Sequence, residues 1–278
     1  MPRPAAAPAE PFFLDTAAGR RFCLFHAPQG ACRGALLYVH PFAEEMNRAR
    51  RMAALQARAF AARGVGVLLL DLHGCGDSDG DFADAGWDGW LADIDAGRAW
   101  LEARLGRTAG LWGLRLGGLL ALQAAHRASR PPEQVLLWQP VTAGLAHLNQ
   151  FLRLRLAADM LAGGAHGGAE ALRACLRAGE TIEIAGYGLT EALAGGMEQA
   201  DAAPLSLPCP VHWFELAAEA GRPMPPAAAR VASIWQARGA RVHQELVQGP
   251  PFWSTPEVAE APALVRASLA CFAEAAHA

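Results

Sequence analysis

Short apolar runs alternate with longer amphipathic segments along most of this chain. Residues 35–40 and 65–71 are apolar runs with the length of buried strands. Residues 44–63, between them, place Met52 and Phe60 on one face at helical spacing. The same alternation continues to the end of the chain and predicts a mostly parallel central sheet with helices on both faces, which is an α/β fold.

One long segment interrupts the alternation. Residues 143–205 begin with leucines at helical spacing and then become rich in glycine. Because insertions between strands of such a sheet lie over the strand carboxyl ends, we expect a helical cap here. Residues 1–10, rich in Pro and Ala, predict a disordered tail, which leaves residues 11–278 as one domain that contains the cap. Residues 256–275 predict its last helix.

The composition excludes several classes of protein. Hydrophobic residues make up 53% of the chain and charged residues 18%, as in a packed globular protein. A net charge of −3 gives no basic surface for nucleic acid. No apolar run is long enough to span a membrane, and the first ten residues lack the apolar stretch of a signal peptide. The six scattered cysteines predict free thiols in a reducing compartment, so we expect a cytoplasmic protein.

The sharpest local motif is the turn Gly113-Leu114-Arg115-Leu116-Gly117. It follows a predicted strand at residues 109–113 and precedes a predicted apolar helix at residues 116–128. A strand, a tight turn flanked by glycines and a helix together form the nucleophile elbow of hydrolytic enzymes. The central position, which holds the attacking serine in such an elbow, is occupied here by Arg115.

Around this turn the chain resembles the α/β-hydrolase superfamily. His40-Pro41-Phe42 is similar to the His-Gly turn after the third strand, and residues 71–78 (DLHGCGDS) are similar to the turn after the fourth. The segments YVHPFAEEMNRARR, DLHGCGDSDGDF and LWGLRLGGLLAL resemble the type 2 hydrolase associated with exosortase A systems. That resemblance implies an α/β-hydrolase fold, a setting beside bacterial export and exopolysaccharide loci, and an export-system protein as a partner.

Two of the three groups of a Ser-His-Asp triad are missing. Arginine cannot attack a carbonyl, because its guanidinium stays protonated. The loop after the last strand, residues 248–254 (QGPPFWS), has no histidine, and the only later one is His277. A carboxylate remains at the acid position, as Glu215 or Glu219. We therefore expect a pseudoenzyme that lacks this mechanism, although the elbow alone leaves open whether the chain is an enzyme.

An arginine at the elbow suits the binding of a small anion. The amino end of a helix favours negative charge. An anion there could accept a bidentate pair of hydrogen bonds from Arg115 in addition to those from the backbone N–H groups of Leu116 and Phe42. The expected ligand is a carboxylate or a phosphate. If the strand ending at His40 lies between those ending at Asp71 and Arg115, further side chains meet at this point. They are His40, Glu44, Glu45, Asp71, His73 and Trp253.

Other interpretations stay open. Arg115 can instead be neutralised internally by Glu44, Glu45 or Asp71. No dense ligand motif supports a metal site, and we expect neither a metal nor a cofactor. The alternative function is hydrolysis of an ester, thioester or acyl-glycan bond by another catalytic group. Candidate nucleophiles for it are Cys75, Ser78 and Ser254.

Overall fold

An eight-stranded sheet forms the centre of the structure, which is a computed structural model that describes residues 8–161, 163, 167–219 and 221–272. The strands are β1 (Glu10–Thr16), β2 (Gly19–His26), β3 (Gly34–Val39), β4 (Val65–Leu70), β5 (Gly110–Leu114), β6 (Val135–Trp138), β7 (Ile182–Ile184), β8 (Tyr187–Leu189), β9 (Val211–Ala217) and β10 (Val242–Gln248). The central sheet has the order β1-β2-β4-β3-β5-β6-β9-β10. Its pairs are parallel from β4 to β10, and β1 and β2 are antiparallel to their neighbours.

Eight helices cover the sheet or belong to the cap, within the part of the chain that the structure describes. They are α1 (Glu44–Ala61), α2 (Trp87–Leu105), α3 (Leu116–Arg127), α4 (Gly144–Leu161), α5 (Gly168–Arg177), α6 (Glu191–Gln199), α7 (Pro226–Ala237) and α8 (Pro262–Ala270). None of the described helices is both long and apolar enough to cross a membrane.

Alternate residues of the strands fill two separate cores. In β3, Leu37 packs toward α2 and α3, whereas Leu36 and Tyr38 pack toward α1 and α8. Successive side chains of a strand point to opposite faces, so a strand with helices on both sides is apolar at every position. The predicted α/β-hydrolase fold is confirmed, including the position of β3 between β4 and β5.

Two predicted boundaries were wrong or incomplete. The last helix starts at Pro262 and not near residue 256. Proline suits the first position of a helix, because the N–H group that it lacks would have no partner within the helix there. The end of that predicted helix, residues 273–275, lies outside the described residues. Most of the predicted tail (residues 1–10) also lies outside them, and β1 already begins at Glu10.

The segment between β6 and β9 forms a compact insertion. It consists of α4, α5, the hairpin β7–β8 and α6. Its two ends are joined at the base, where Gly144 N–H donates to the Ala200 carbonyl and Ala202 N–H donates to the Thr142 carbonyl. Helix α4 thereby contacts the turn after β3 through the ring of Phe151, whose centroid is 4.9 Å from that of Phe42.

Candidate functional site

The turn between β5 and α3 keeps the backbone geometry of a nucleophile elbow. Arg115 has φ 55° and ψ −120°, a conformation that side-chain-bearing residues rarely adopt. A Cβ atom on Gly117 would overlap the carbonyl oxygens of Val39 and His40, and one on Gly113 would overlap the backbone of Gly117. Glycine is therefore required on both sides of Arg115 for the turn to pack against the end of β3.

Backbone strain is concentrated around this turn. Among the described residues other than glycine, four have a positive φ, and three of these follow neighbouring strands: Ala43 after β3, Arg115 after β5 and Gln139 after β6. Such conformations cost about 1–3 kcal/mol each and cluster at functional sites. The chain thus retains strain where a hydrolase would hold its reacting groups.

Arg115 forms an ion pair with Glu45. Its Nε donates to Glu45 Oε1 at 3.2 Å, and the two side chains are 17% and 22% exposed. Its Nη1 lies 3.5 Å from the Gln139 carbonyl oxygen, a long hydrogen bond. The guanidinium carbon lies 5.5 Å from the ring centroid of Trp253, within range of a cation–π interaction.

The charge of Arg115 acts on two carboxyl groups, those of the partly buried Glu45 and the buried Glu215. Burial raises the pKa of Glu45, although the charge and the hydrogen bond of Arg115 oppose that shift. Burial raises the pKa of Glu215 on β9 to about 7. Two effects oppose this shift: the Trp213 indole N–H donates a hydrogen bond to the carboxyl group at 2.7 Å, and the charge of Arg115 favours the ionised form. Burial thus disfavours the ionised form of both carboxyl groups, and the charge of Arg115 favours it.

His147 on α4 belongs to the same site and was missed by the sequence analysis. Its ring centroid lies 5.8 Å from that of Phe42. Burial first, and then the charge of Arg115, lower its pKa to about 3, so the imidazole is neutral. The only sequence signal was a histidine four residues before Phe151, which places both on one face of the cap helix.

A cavity of about 160 Å³ lies between the start of α1 and the cap helix α4. Its lining residues are Phe42, Ala43, Glu44, Glu45, His147, Gln150, Phe151 and Leu154. The walls are mostly apolar, and Glu45, the ion-pair partner of Arg115, is among the lining residues, whereas Arg115 is not. A ligand in this cavity would contact the Arg115–Glu45 pair from the side of the carboxylate.

Comparison with known proteins places the chain in a family. Residues 30–183, more than half of the chain, match the family model described as serine aminopeptidase, S33. The chain belongs to the S33 family. No functionally curated protein matches it at a significant level. The S33 name refers to a serine nucleophile, and this member carries Arg115 at the apex of the elbow.

Solved structures share the fold over nearly the whole chain. Est1E from Butyrivibrio proteoclasticus, in a structure with bound ferulic acid, has a TM-score of 0.72 and 15% identity and covers 95% of this chain and 98% of its own. DcsB, in a complex with its substrate analogue, has a TM-score of 0.64 and 16% identity and covers 96% and 99%. XC6422 from Xanthomonas campestris, a serine hydrolase without a lid, has a TM-score of 0.56 and 15% identity and covers 87% and 86%. At these identities the likeness shows the fold alone.

Two predicted site residues have structural partners of their own in this S33-family chain. His40 Nε2 accepts the Leu72 N–H at 3.2 Å, so its Nδ1 carries the proton and donates to the Pro41 carbonyl at 2.8 Å. Asp71 pairs with Arg50 at 3.0 Å rather than with Arg115. Both residues lie at the end of a strand as expected, but they stabilise the turns there.

Three further predicted residues have partners other than Arg115. The His73 N–H donates to Asp93 Oδ2 at 2.8 Å, and its ring lies against Gly80. The other two are half-exposed or exposed acids with basic partners: Glu44 pairs with Arg48, and Glu219 pairs with Arg222. Of the expected set, the structure brings Glu45 and Trp253 to Arg115, and Glu215 close enough for its pKa to respond to the Arg115 charge. In the described parts of the chain, no group of three or more His, Cys, Asp or Glu residues could hold a metal ion.

The loop that would carry the catalytic histidine is filled by aromatic residues. Phe252 and Trp253 are buried there, and the ring of Phe252 packs against Trp138. Ser254 Oγ donates to the Pro251 carbonyl at 3.1 Å on the surface. The residue of this loop that contacts Arg115 is thus Trp253, through its indole ring.

Proposed function

We propose that this S33-family chain is a binding protein that takes a small anionic ligand, a carboxylate or a phosphate, at Arg115 and does not use Ser-His-Asp catalysis. The observation that carries the proposal is Arg115 itself, which occupies the strained apex of the elbow in an ion pair with Glu45. A guanidinium there can bind and orient an acid but cannot form an acyl-enzyme.

The cavity beside the pair favours a carboxylic acid with an apolar body. It is lined by Phe42, Phe151 and Leu154, and its polar lining includes Glu45 and His147. Its volume of about 160 Å³ is below the ~300–1,000 Å³ typical of drug-sized ligands. Est1E, which shares the fold, was solved with ferulic acid, an aromatic carboxylic acid. We infer that small aromatic or aliphatic acids are the ligand class.

The alternative, hydrolysis of an ester, thioester or acyl-glycan bond by another group, has less support. Cys75 is buried, and burial together with the charge of Asp71 raises its pKa far above the usual range. Ser78 is also buried, and its hydroxyl donates to the Asp71 carbonyl at 2.6 Å. Ser254 is exposed but donates to a backbone carbonyl. None of these hydroxyl or thiol groups has a histidine partner among the described contacts.

We also propose that the protein acts in the cytoplasm with a bacterial exosortase and exopolysaccharide export system. Three segments support this role, those around Arg115, His40 and Asp71 that resemble the exosortase-associated type 2 hydrolases. Deletion of the gene should reduce surface display of exported polymer or sorted protein, and the wild-type chain should restore it. Normal export in the deletion strain would contradict this assignment.

The catalytic part of the proposal is tested by active-site labelling. We expect no stoichiometric labelling by a fluorophosphonate and no turnover of short p-nitrophenyl esters above a heat-denatured sample. Arg115→Ser is the matched variant and should also stay inactive, because the loop after β10 supplies no histidine as the base. Labelling of Ser78 or Ser254, located by mass spectrometry, would favour the alternative function.

The binding part is tested by calorimetry with ferulic acid and, separately, inorganic phosphate. We expect at least one of them to bind the wild-type chain and neither to bind Arg115→Met. Glu219→Gln is the control, since Glu219 is exposed and paired with Arg222. Equal binding by wild type and Arg115→Met would show that the ligand site lies elsewhere.

A further inference from the structure

Two polar atoms at the cavity lack partners. Glu45 Oε2 and His147 Nδ1 are both buried, and neither has a hydrogen bond within the described chain. Both residues line the cavity of about 160 Å³. Buried polar atoms are nearly always hydrogen-bonded, so two unpaired atoms on residues that line one cavity indicate a ligand that pairs with both once the two side chains turn toward it.

The two atoms require different partners. Glu45 is the carboxylate of the ion pair with Arg115, and an ionised carboxylate only accepts hydrogen bonds, so its Oε2 requires a donor. The imidazole of His147 is neutral and can present Nδ1 as a donor to a carbonyl oxygen. A ligand that pairs with both atoms thus carries one donor and one acceptor on a single small head group.

A bare carboxylate does not meet these requirements. It has no donor for Glu45, and the charge of Arg115 is already matched by Glu45 at 3.2 Å. A second negative charge in a mostly buried site would be repelled by the first. A protonated carboxyl group meets both needs, because its O–H donates to Glu45 Oε2 and its C=O accepts from His147 Nδ1.

We propose that the cavity takes carboxylic acids together with one proton, as the neutral acid, and that it accepts the corresponding primary amides but not phosphate. This inference rests on the proposed binding of a small acid and specifies its form: the acid, an anion in solution at neutral pH, is bound with a proton beside the Arg115–Glu45 pair rather than as a free anion on Arg115. The apolar body of the ligand contacts Phe42 and Phe151, and the shared proton lies between the ligand and Glu45. Phosphate, with more charge and no apolar body, is excluded.

Other titratable groups face this site and have to be separated from Glu45. Glu44 lines the cavity but is solvated and paired with Arg48, and it accepts the Tyr187 hydroxyl. Glu215 is close enough to feel Arg115, but it is absent from the cavity lining. His147 cannot take up the proton near neutral pH, because burial and Arg115 keep it neutral.

The test is calorimetry of the full-length protein with ferulic acid and with its primary amide. Titrations at pH 5.5–8 in two buffers of different ionisation enthalpy count the protons that accompany binding. We expect one proton taken up per ferulic acid and an affinity that falls about tenfold per pH unit, because only the protonated acid is bound. Amide affinity should not change with pH. Acid binding without proton uptake, or failure of the amide to bind, would overturn the inference.

Variants of three glutamates identify which carboxyl group shares the proton that is taken up on binding. Glu45→Gln supplies a donor to the ligand, so it should bind ferulate without proton uptake and lose the pH dependence. Glu215→Gln and Glu219→Gln should leave the proton count at one; a count that falls to zero in Glu215→Gln would contradict the role of Glu45. If Glu45→Gln does not fold, the two-buffer measurement on the wild type still decides. Binding of neither acid, amide nor phosphate would reject the proposed function as well, whereas proton-free binding would reject this inference alone.

Discussion

Arg115 has the torsion angles that an elbow imposes on its central residue, and its side chain replaces a small hydroxyl by a large cation. A mostly buried cation is costly unless a carboxylate and further acceptors pair with it. Glu45 supplies the carboxylate from the first turn of α1, and Trp253 covers the guanidinium from the loop after β10. The substitution at the apex is thus accommodated by residues from two other segments.

The Arg115–Glu45 pair should be energetically coupled. Arg115→Met leaves Glu45 buried without a partner and should lower the free energy of unfolding by about 2–3 kcal/mol, below the ~3–5 kcal/mol of a fully buried pair because both side chains are partly exposed. The loss should be larger at pH 8 than at pH 5, where Glu45 can stay protonated. Urea unfolding of both single variants and of Arg115→Met/Glu45→Gln forms a double-mutant cycle. Additive effects of the two substitutions would show that the pair contributes nothing.

Glu215 should make the protein less stable as the pH rises. Its pKa is raised from 4.5 to about 7 in the folded state, mainly by burial. The folded state therefore holds a proton that the unfolded state has lost, so the stability present below pH 4.5 decreases up to pH 7, by at most about 3 kcal/mol. Glu215→Gln keeps an acceptor for the Trp213 N–H and should remove this decrease. Parallel stability–pH curves for wild type and variant would contradict the assignment.

At the scale of elements, the β5–α3 connection depends on backbone contact. Gly117→Ala would place a Cβ against the carbonyls that end β3, and backbone cannot move aside as a flexible side chain does. We expect the free energy of unfolding to fall by about 1–3 kcal/mol. Gly89→Ala in α2 is the control, because a Cβ there meets nothing within 4 Å and alanine stabilises a helix by about 1 kcal/mol. Thermal melts should move in opposite directions for the two variants.

The sequence predicted those elements whose patterns are long and periodic. The strands β3, β4 and β5 and the helix α1 have clear apolar patterns, and their positions were confirmed to within two residues. The hairpin β7–β8 was missed, since strands of three residues are too short to show an alternation. The start of α8 was misplaced by six residues, because Pro256 and Pro262 both suit the first turn of a helix.

At the scale of the whole molecule, chain topology decides which candidate residues meet. Sheet order brings the turns after β3, β5 and β6 together, so Glu45 could be predicted near Arg115 from the fold alone. Sheet order alone could not show that Asp71 pairs with Arg50, because that contact depends on the direction of a side chain in α1. His147 depends on how the cap docks, which no local pattern encodes.

The reactivity of the cysteine thiols depends on whether the whole chain is folded. No disulfide joins any of the six cysteines, all of which lie in the described residues; Cys23, Cys75 and Cys209 are buried in the core beneath α2 and α3, and Cys32, Cys175 and Cys271 are partly exposed. Burial raises the pKa of Cys23 to about 12 and that of Cys209 to about 11, which suppresses the reactive thiolate.

We therefore expect three thiols to react with an aromatic disulfide reagent at pH 8 in the native protein, and all six in denaturant. The buried three should react only through global opening, so their rate should track the unfolding equilibrium of each variant. Arg115→Met should accelerate them, whereas Gly89→Ala should slow them. Ferulic acid, if it binds the folded state, should slow them further in the wild type, since a ligand of the native state lowers the unfolded population. Rapid native labelling of Cys23 or Cys209, mapped by mass spectrometry, would mean that the core opens locally and that the molecule does not unfold as one unit.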